Sequence, residues 1–120
     1  MKRKLLVSKT YVKIKNELYI DWEIRNAVTE KVYIVARSVL SERNTIMYVT
    51  LFVGDRTKHD EVAITELIRA VMSEYSATAD ILEIHSVLYK KYMELAQFNF
   101  QPSSISNDMH YAKIPAQPLG

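Results

Sequence analysis

Side chains with chemistry to offer are few in this chain. The arginines come first, because a guanidinium recognises phosphate or carboxylate through a two-pronged fork. Arg25 and Arg37 fall on stretches patterned as strands, Arg43 and Arg56 at strand ends, and Arg69 on a stretch patterned as a helix. Arg37 interrupts the otherwise apolar run "VYIVARSVL". Burying an unpaired guanidinium costs on the order of several kcal/mol, so Arg37 is expected to meet an internal carboxylate, line a pocket or enter a subunit contact. Arg56 lies beside the expected start of the first helix, where its charge would join the exposed N–H groups of that helix as an anion site.

The three histidines, His59, His85 and His110, are far apart and show no i,i+4 pairing of the kind that holds zinc. His59 precedes Asp60 in the expected loop into the first helix. His85 borders an apolar stripe, and His110 sits in "SNDMHY" with Asn107, Asp108 and Tyr111. Asp21 and Glu23 are two apart on one strand face. Acid–base work would need a carboxylate moved off its ordinary pKa, and pairing with lysines across a strand is the simpler expectation. There is no cysteine, which excludes disulfides, thiolate chemistry and cysteine-ligated zinc. There is no Gly-x-Ser-x-Gly elbow, and two glycines in 120 residues argue against phosphate-cradling loops. The expectation is a protein that is not an enzyme and holds no cofactor or metal.

Charge is distributed unevenly around a net +2. Residues 1–40 hold nine Lys/Arg against four acids (+5), residues 41–75 four against six (−2), and residues 76–120 three against four (−1). The opening "MKRKLLVSKTYVKIK" carries Lys2, Arg3, Lys4, Lys9, Lys13 and Lys15 without an acid. On a strand, Lys9, Lys13 and Lys15 share a face with Tyr11, which resembles the charge-plus-stacking surface of single-strand nucleic-acid binders. The same lysines would also suit a sheet edge that resists unwanted pairing. Asp21 and Glu23, on the following strand, are expected to neutralise the patch in part.

The elements that would position these residues follow from periodicity. In "ELYIDWEIRN", Leu18, Ile20, Trp22 and Ile24 alternate with polar residues, a strand with one wet face. Val12 and Ile14 repeat that pattern ahead of a turn at Asn16–Glu17. "KVYIVARSVL" and "TIMYVTLFV" are apolar and β-branched, as central strands are. Ile64, Leu67, Ile68, Val71 and Tyr75 then make a helical stripe, capped by Thr57 or Asp60. Ile81, Ile84, Leu88, Tyr92 and Leu95 make a second. The predicted plan is α+β: an antiparallel meander of about five strands, two amphipathic helices and an extended C-terminal arm. Residues 1–97 would form a single domain. Residues 98–120, with three prolines, would form an arm packed on that domain or on a neighbouring subunit through Phe98, Phe100 and Tyr111.

These readings converge on a non-enzymatic, homo-oligomeric binding protein that takes a small anionic ligand or masks a partner protein. Arg25, Arg37, Arg56 and His59 would supply charge, and Phe98, Asn99, Asn107, His110 and Tyr111 of the arm would close the site. In plan only (sheet first, two helices, closing loop) the chain is similar to the phage sponges that sequester cyclic ADP-ribose signals in Thoeris anti-defence, although no motif of that family is matched. The likeness implies a phage or mobile-element origin and a nucleotide-derived ligand, with adenine stacked on an aromatic ring and arginines on the pyrophosphate. The plan also resembles positive-cofactor and Whirly-type single-strand binders, the alternative in which the basic N-terminal strands hold nucleic acid. A small enzyme using His59 or His110 with Asp21, Glu23 or Asp108 is the third reading. No apolar run approaches the ~20 residues of a membrane span, so a cytoplasmic location is expected, the host cytoplasm if the protein is viral.

Overall fold

Alternating apolar and polar residues carry the first half of the chain through four antiparallel strands, β1 (Leu5–Ile14), β2 (Glu17–Asn26), β3 (Val32–Arg43) and β4 (Ile46–Val53). The computed structural model describes residues 4–43, 46–54 and 61–116. Lys15 and Asn16 form the first turn with φ of 48° and 69°, the two left-handed residues of a tight hairpin whose twist matches its strands. The turn lies one residue earlier than the sequence suggests, and Glu17 opens β2. Between β2 and β3 the Asn26 side chain accepts the N–H groups of Val28 and Thr29 at 2.8 and 2.9 Å, a local bond that closes the loop.

After β4 the chain leaves the sheet. The Gly54 N–H donates to the Val35 carbonyl at 2.8 Å, and a Cβ at Gly54 would lie 2.8 Å from a Val35 methyl. Only glycine lets the backbone press so closely there. Helix α1 (Glu61–Tyr75) buries Ala63, Ile64, Leu67, Ile68, Val71, Met72 and Tyr75, the predicted stripe. The expected caps, Thr57 and Asp60, lie outside the described residues.

The second predicted helix is replaced in its first part by a strand. Ile81–His85 forms β5, parallel to β4, with Leu82, Glu83 and Ile84 all buried. Ile81, Ile84 and Leu88 fit a helical period, but Leu82 and Ile84 fit a strand period equally well over so short a run. The crossover through α1 decides the outcome, because it delivers this segment into the slot between β4 and β7. A helix follows only at Ser86–Lys91 (α2), and then a 3₁₀ turn at Met93–Phe98.

The expected arm joins the chain's own sheet. Gln101–Pro102 (β6) and Met109–Lys113 (β7) are strands, and β7 pairs antiparallel with β5 from Ile81↔Lys113 to His85↔Met109. Ile114 N–H to the Asp80 carbonyl and Ser86 N–H to the Asp108 carbonyl pin its two ends at 2.8 and 2.7 Å. The result is α+β: a seven-stranded sheet, antiparallel except at β4–β5, in the order β1-β2-β3-β4-β5-β7-β6. The helices pack against one face. There Ile20, Trp22, Ile24, Ile34, Val49, Leu51, Leu82, Ile84 and Ala112 meet α1, Tyr92, Leu95 and Phe100. Among the described residues no helix is long and apolar enough to cross a membrane.

Candidate functional site

Register decides which side of the sheet each candidate occupies. Trp22 pairs with Ala36 and Ile20 with Ser38 on the helix side, so Asp21↔Arg37, one step along, lies on the opposite, open side. Arg37 is therefore exposed, which corrects the expectation of a buried guanidinium. The run "VYIVARSVL" is central within the sheet, but one of its faces is wet. The Arg37 fork bonds both Asp21 oxygens, Nε to Oδ1 at 2.6 Å and Nη2 to Oδ2 at 2.9 Å, and its guanidinium carbon lies 5.4 Å from the Tyr19 ring centroid. This bonding lowers the Asp21 pKa and raises that of Arg37. Arg25 likewise donates to Glu23 beside it. Tyr19 donates to Glu17 at 2.8 Å, and that bond holds its phenol above its ordinary pKa.

The remaining ligand candidates lie elsewhere. Phe98 packs edge-on against the buried Phe100, with centroids 6.5 Å apart. Asn99 adopts the left-handed conformation that ends the 3₁₀ turn, and Asn107 is exposed in the β6–β7 connection. Tyr111 stands on β7 opposite Glu83. β7 is separated from β3 by β4 and β5, three strand spacings or about 14 Å. The described residues thus do not gather Arg25 and Arg37 with Phe98, Asn99, Asn107, His110 and Tyr111 into one pocket. Arg56 and His59 lie outside the described residues.

His110 faces the helix side, away from Asp21 and Glu23. Its Nδ1 lies 2.7 Å from Ser86 Oγ, and Tyr89 stacks on its ring with centroids 4.4 Å apart and planes 18° from parallel. Burial, helped by the charge of Lys90, lowers its pKa. Ser86 is itself buried at the base of α2. Its bond to His110 joins α2 to β7. His85 caps α2 by accepting the Val87 N–H at 3.2 Å. No group of three or more metal-binding side chains occurs among the described residues.

The basic opening behaves differently from its sequence reading. Lys9 pairs with Trp22 and Tyr11 with Ile20 on the helix side, while Asp21 and Glu23 stand beside Thr10 and Ser8 on the other. The carboxylate that Lys9 meets is therefore Glu74 of α1, which also accepts from the Tyr11 hydroxyl at 3.3 Å. The hydrogen bond to Glu74 raises the Lys9 pKa. Lys13 continues this face, Lys15 belongs to the turn, Lys4 precedes β1, and Lys2 and Arg3 lie outside the described residues. A cavity of about 730 Å³ beside Tyr11 is bounded by Leu18, Leu40 and Tyr75, and its charged walls among the described residues are Glu17 and Glu74. Two carboxylates make poor walls for an anion.

Two features escaped the sequence. Beneath α1, Trp22 Nε1–H donates to Ser38 Oγ at 2.8 Å, and Ser38 Oγ lies 2.9 Å from the Tyr75 hydroxyl. Burial raises the Tyr75 pKa, against the opposing effect of the Ser38 bond. The signal was present: Ser38 stands at a core-facing position of an apolar strand, where a hydroxyl must find partners. The second is the open face over β2–β4. Phe52 is 55% exposed there, Val35 and Val39 are half-buried, and a groove of about 450 Å³ runs between Asp21, Glu23, Val35, Arg37 and Phe52. Phe52 lies directly across from Arg37, so an aromatic ring adjoins an ion pair. No known protein family, curated protein or solved structure matches this chain.

Proposed function

We propose that the protein is a non-enzymatic binding protein that masks a partner protein with the open face of its sheet. The observation that carries this reading is Phe52, an exposed aromatic beside half-buried valines and framed by the Arg37–Asp21 and Arg25–Glu23 pairs. Protein interfaces favour such a composition: an apolar, aromatic centre with arginines close by and charge at the rim. The groove suits a protein segment better than a small anion, because each guanidinium already has a carboxylate that an incoming phosphate would have to displace. Nucleic-acid binding through β1 is weakened in the same way, since Lys9 and Tyr11 are committed to Glu74.

Native mass spectrometry of protein purified from its own cells, beside a Phe52→Asp variant of matched circular dichroism, tests the reading. A stoichiometric protein partner retained by the wild type and lost from the variant is expected. Retention of a nucleotide-sized mass instead, or equal retention of the partner by both proteins, would overturn it.

A further inference from the structure

The two edges of the sheet are treated differently. At one end β6 is two residues long and contains Pro102, which has no N–H to offer. At the other, β1 runs for ten residues, Leu5–Ile14, without proline or glycine, and its register with β2 is unbroken. We propose that this edge pairs with the same strand of a second copy of the chain, antiparallel and centred on Thr10, so that two sheets become one.

The backbone directions follow from the hairpin. The two-residue turn makes Ile14–Glu17 a hydrogen-bonded pair, and Ala27 N–H donates to the Lys4 carbonyl at 2.9 Å. Even-numbered residues of β1 therefore spend their N–H and C=O groups on β2. Odd-numbered residues (Val7, Lys9, Tyr11, Lys13) direct theirs out of the edge.

The charges then select the register. A two-fold axis normal to the sheet carries each face onto itself, so it passes through a residue and not between two. Two such registers pair nearly the whole strand, centred on Lys9 or on Thr10. The first sets Lys9 against Lys9. The second sets no like charges together: Lys9 faces Tyr11 of the second copy, and Val7 faces Lys13, each as a hydrogen-bonded pair and each twice by symmetry. Shifting one step further, to Tyr11, sets Lys9 against Lys13. A centre on Ser8 shortens the pairing and leaves Val12 and Ile14 uncovered. The lysines thus reject the registers on either side, and length rejects the one centred on Ser8, which leaves one acceptable.

Side chains on both faces agree with that choice. On the open side Thr10 meets itself, Ser8 meets Val12, and Leu6 (47% exposed) meets Ile14 (39%), so two exposed apolar residues find each other. On the helix side each Lys9 keeps Glu74 and gains a second tyrosine ring, so the two Lys9 ammonium groups nearest the axis are matched by two carboxylates. The pairing does not depend on what occupies the open face.

The chain has no cysteine, so introduced thiols report register without interference. Thr10→Cys would place two sulfurs across a non-hydrogen-bonded pair, with Cα atoms about 4.5 Å apart, within disulfide range. Ser8→Cys would hold them about 14 Å apart, beyond reach. Light scattering after size exclusion should show a dimer of the full chain. Mild oxidation should lock Thr10→Cys and not Ser8→Cys. Tyr11→Lys, which sets like charges opposite each other twice, should weaken dimerisation roughly ten-fold or more. A monomer at ~100 μM, a concentration at which even weak pairs associate, would overturn the proposal. So would equal cross-linking of both cysteine variants, or a dimer indifferent to Tyr11→Lys.

Discussion

Strands β2 and β3 carry a polar constellation on each face, one residue apart in register, and the two differ in what they do for the molecule. On the helix side Trp22, Ser38 and Tyr75 form a chain of hydrogen bonds, and all three are buried. On the open side Asp21, Arg37 and Tyr19 form an ion pair against a ring in contact with water. The buried set satisfies donors that nothing else can reach, so losing one member strands the others. The open set exchanges one hydrated state for another and adds little to stability. Geometry that looks richer in charge therefore holds the fold less, and its groups remain available for recognition.

The sharpest way to break this comparison is to exchange the faces. Leu67→Ala, beneath the helix and fully buried, should cost about 2–5 kcal/mol in urea unfolding, whereas Phe52→Ala, removing a larger side chain from the open face, should stay within about 0.5 kcal/mol. Equal losses would mean that the open face is covered in the folded chain. Ser38→Ala comes next, at about 1–3 kcal/mol. Combining it with Tyr75→Phe should cost less than the sum of the two, because the second change removes a hydroxyl that the first has orphaned.

His110 extends the contrast to the far end of the sheet. Its pKa is depressed in the fold, mainly by burial, so the unfolded chain takes up the proton more readily. Its contribution is therefore complete above the unfolded value of 6.5 and declines as pH falls below it toward the folded value. Thermal unfolding across that range should show wild type losing stability and His110→Phe losing less, whatever its starting point. The smallest effect belongs to Arg37→Ala, with a shift in midpoint smaller than that of Ser38→Ala and vanishing in high salt. The Asp21 carboxyl, held below its ordinary 3.8 by that partner, should contribute at neutral pH and lose its contribution only as pH falls through the folded value. NMR titration of the Asp21 carboxyl in wild type and Arg37→Ala checks the direction.

Much of the first half was legible because its signals are local. The alternation through Leu18–Arg25 is a property of neighbouring residues, and so is the stripe from Ile64 to Tyr75 on α1. The misreadings fall where a second partner chooses between local options. Ile81–His85 satisfied two periods at once and became a strand because β4 and β7 stood ready on either side. Arg37 looked buried because its neighbours are apolar, and it is exposed because, among the described residues, no helix lies over that face at β2–β3.

Side-chain order along the chain determined by itself that there would be alternating strands, an amphipathic helix, a cationic first strand and no thiol chemistry. Tertiary structure alone decided which carboxylate Lys9 would meet, that the sheet would stay open around Arg37 and Phe52, and where the proline-bearing end would dock. The reason is distance along the chain. Periodicity is written within a few residues, whereas the contact between β1 and Glu74, or between β5 and β7, exists only after a crossover has brought remote segments into register.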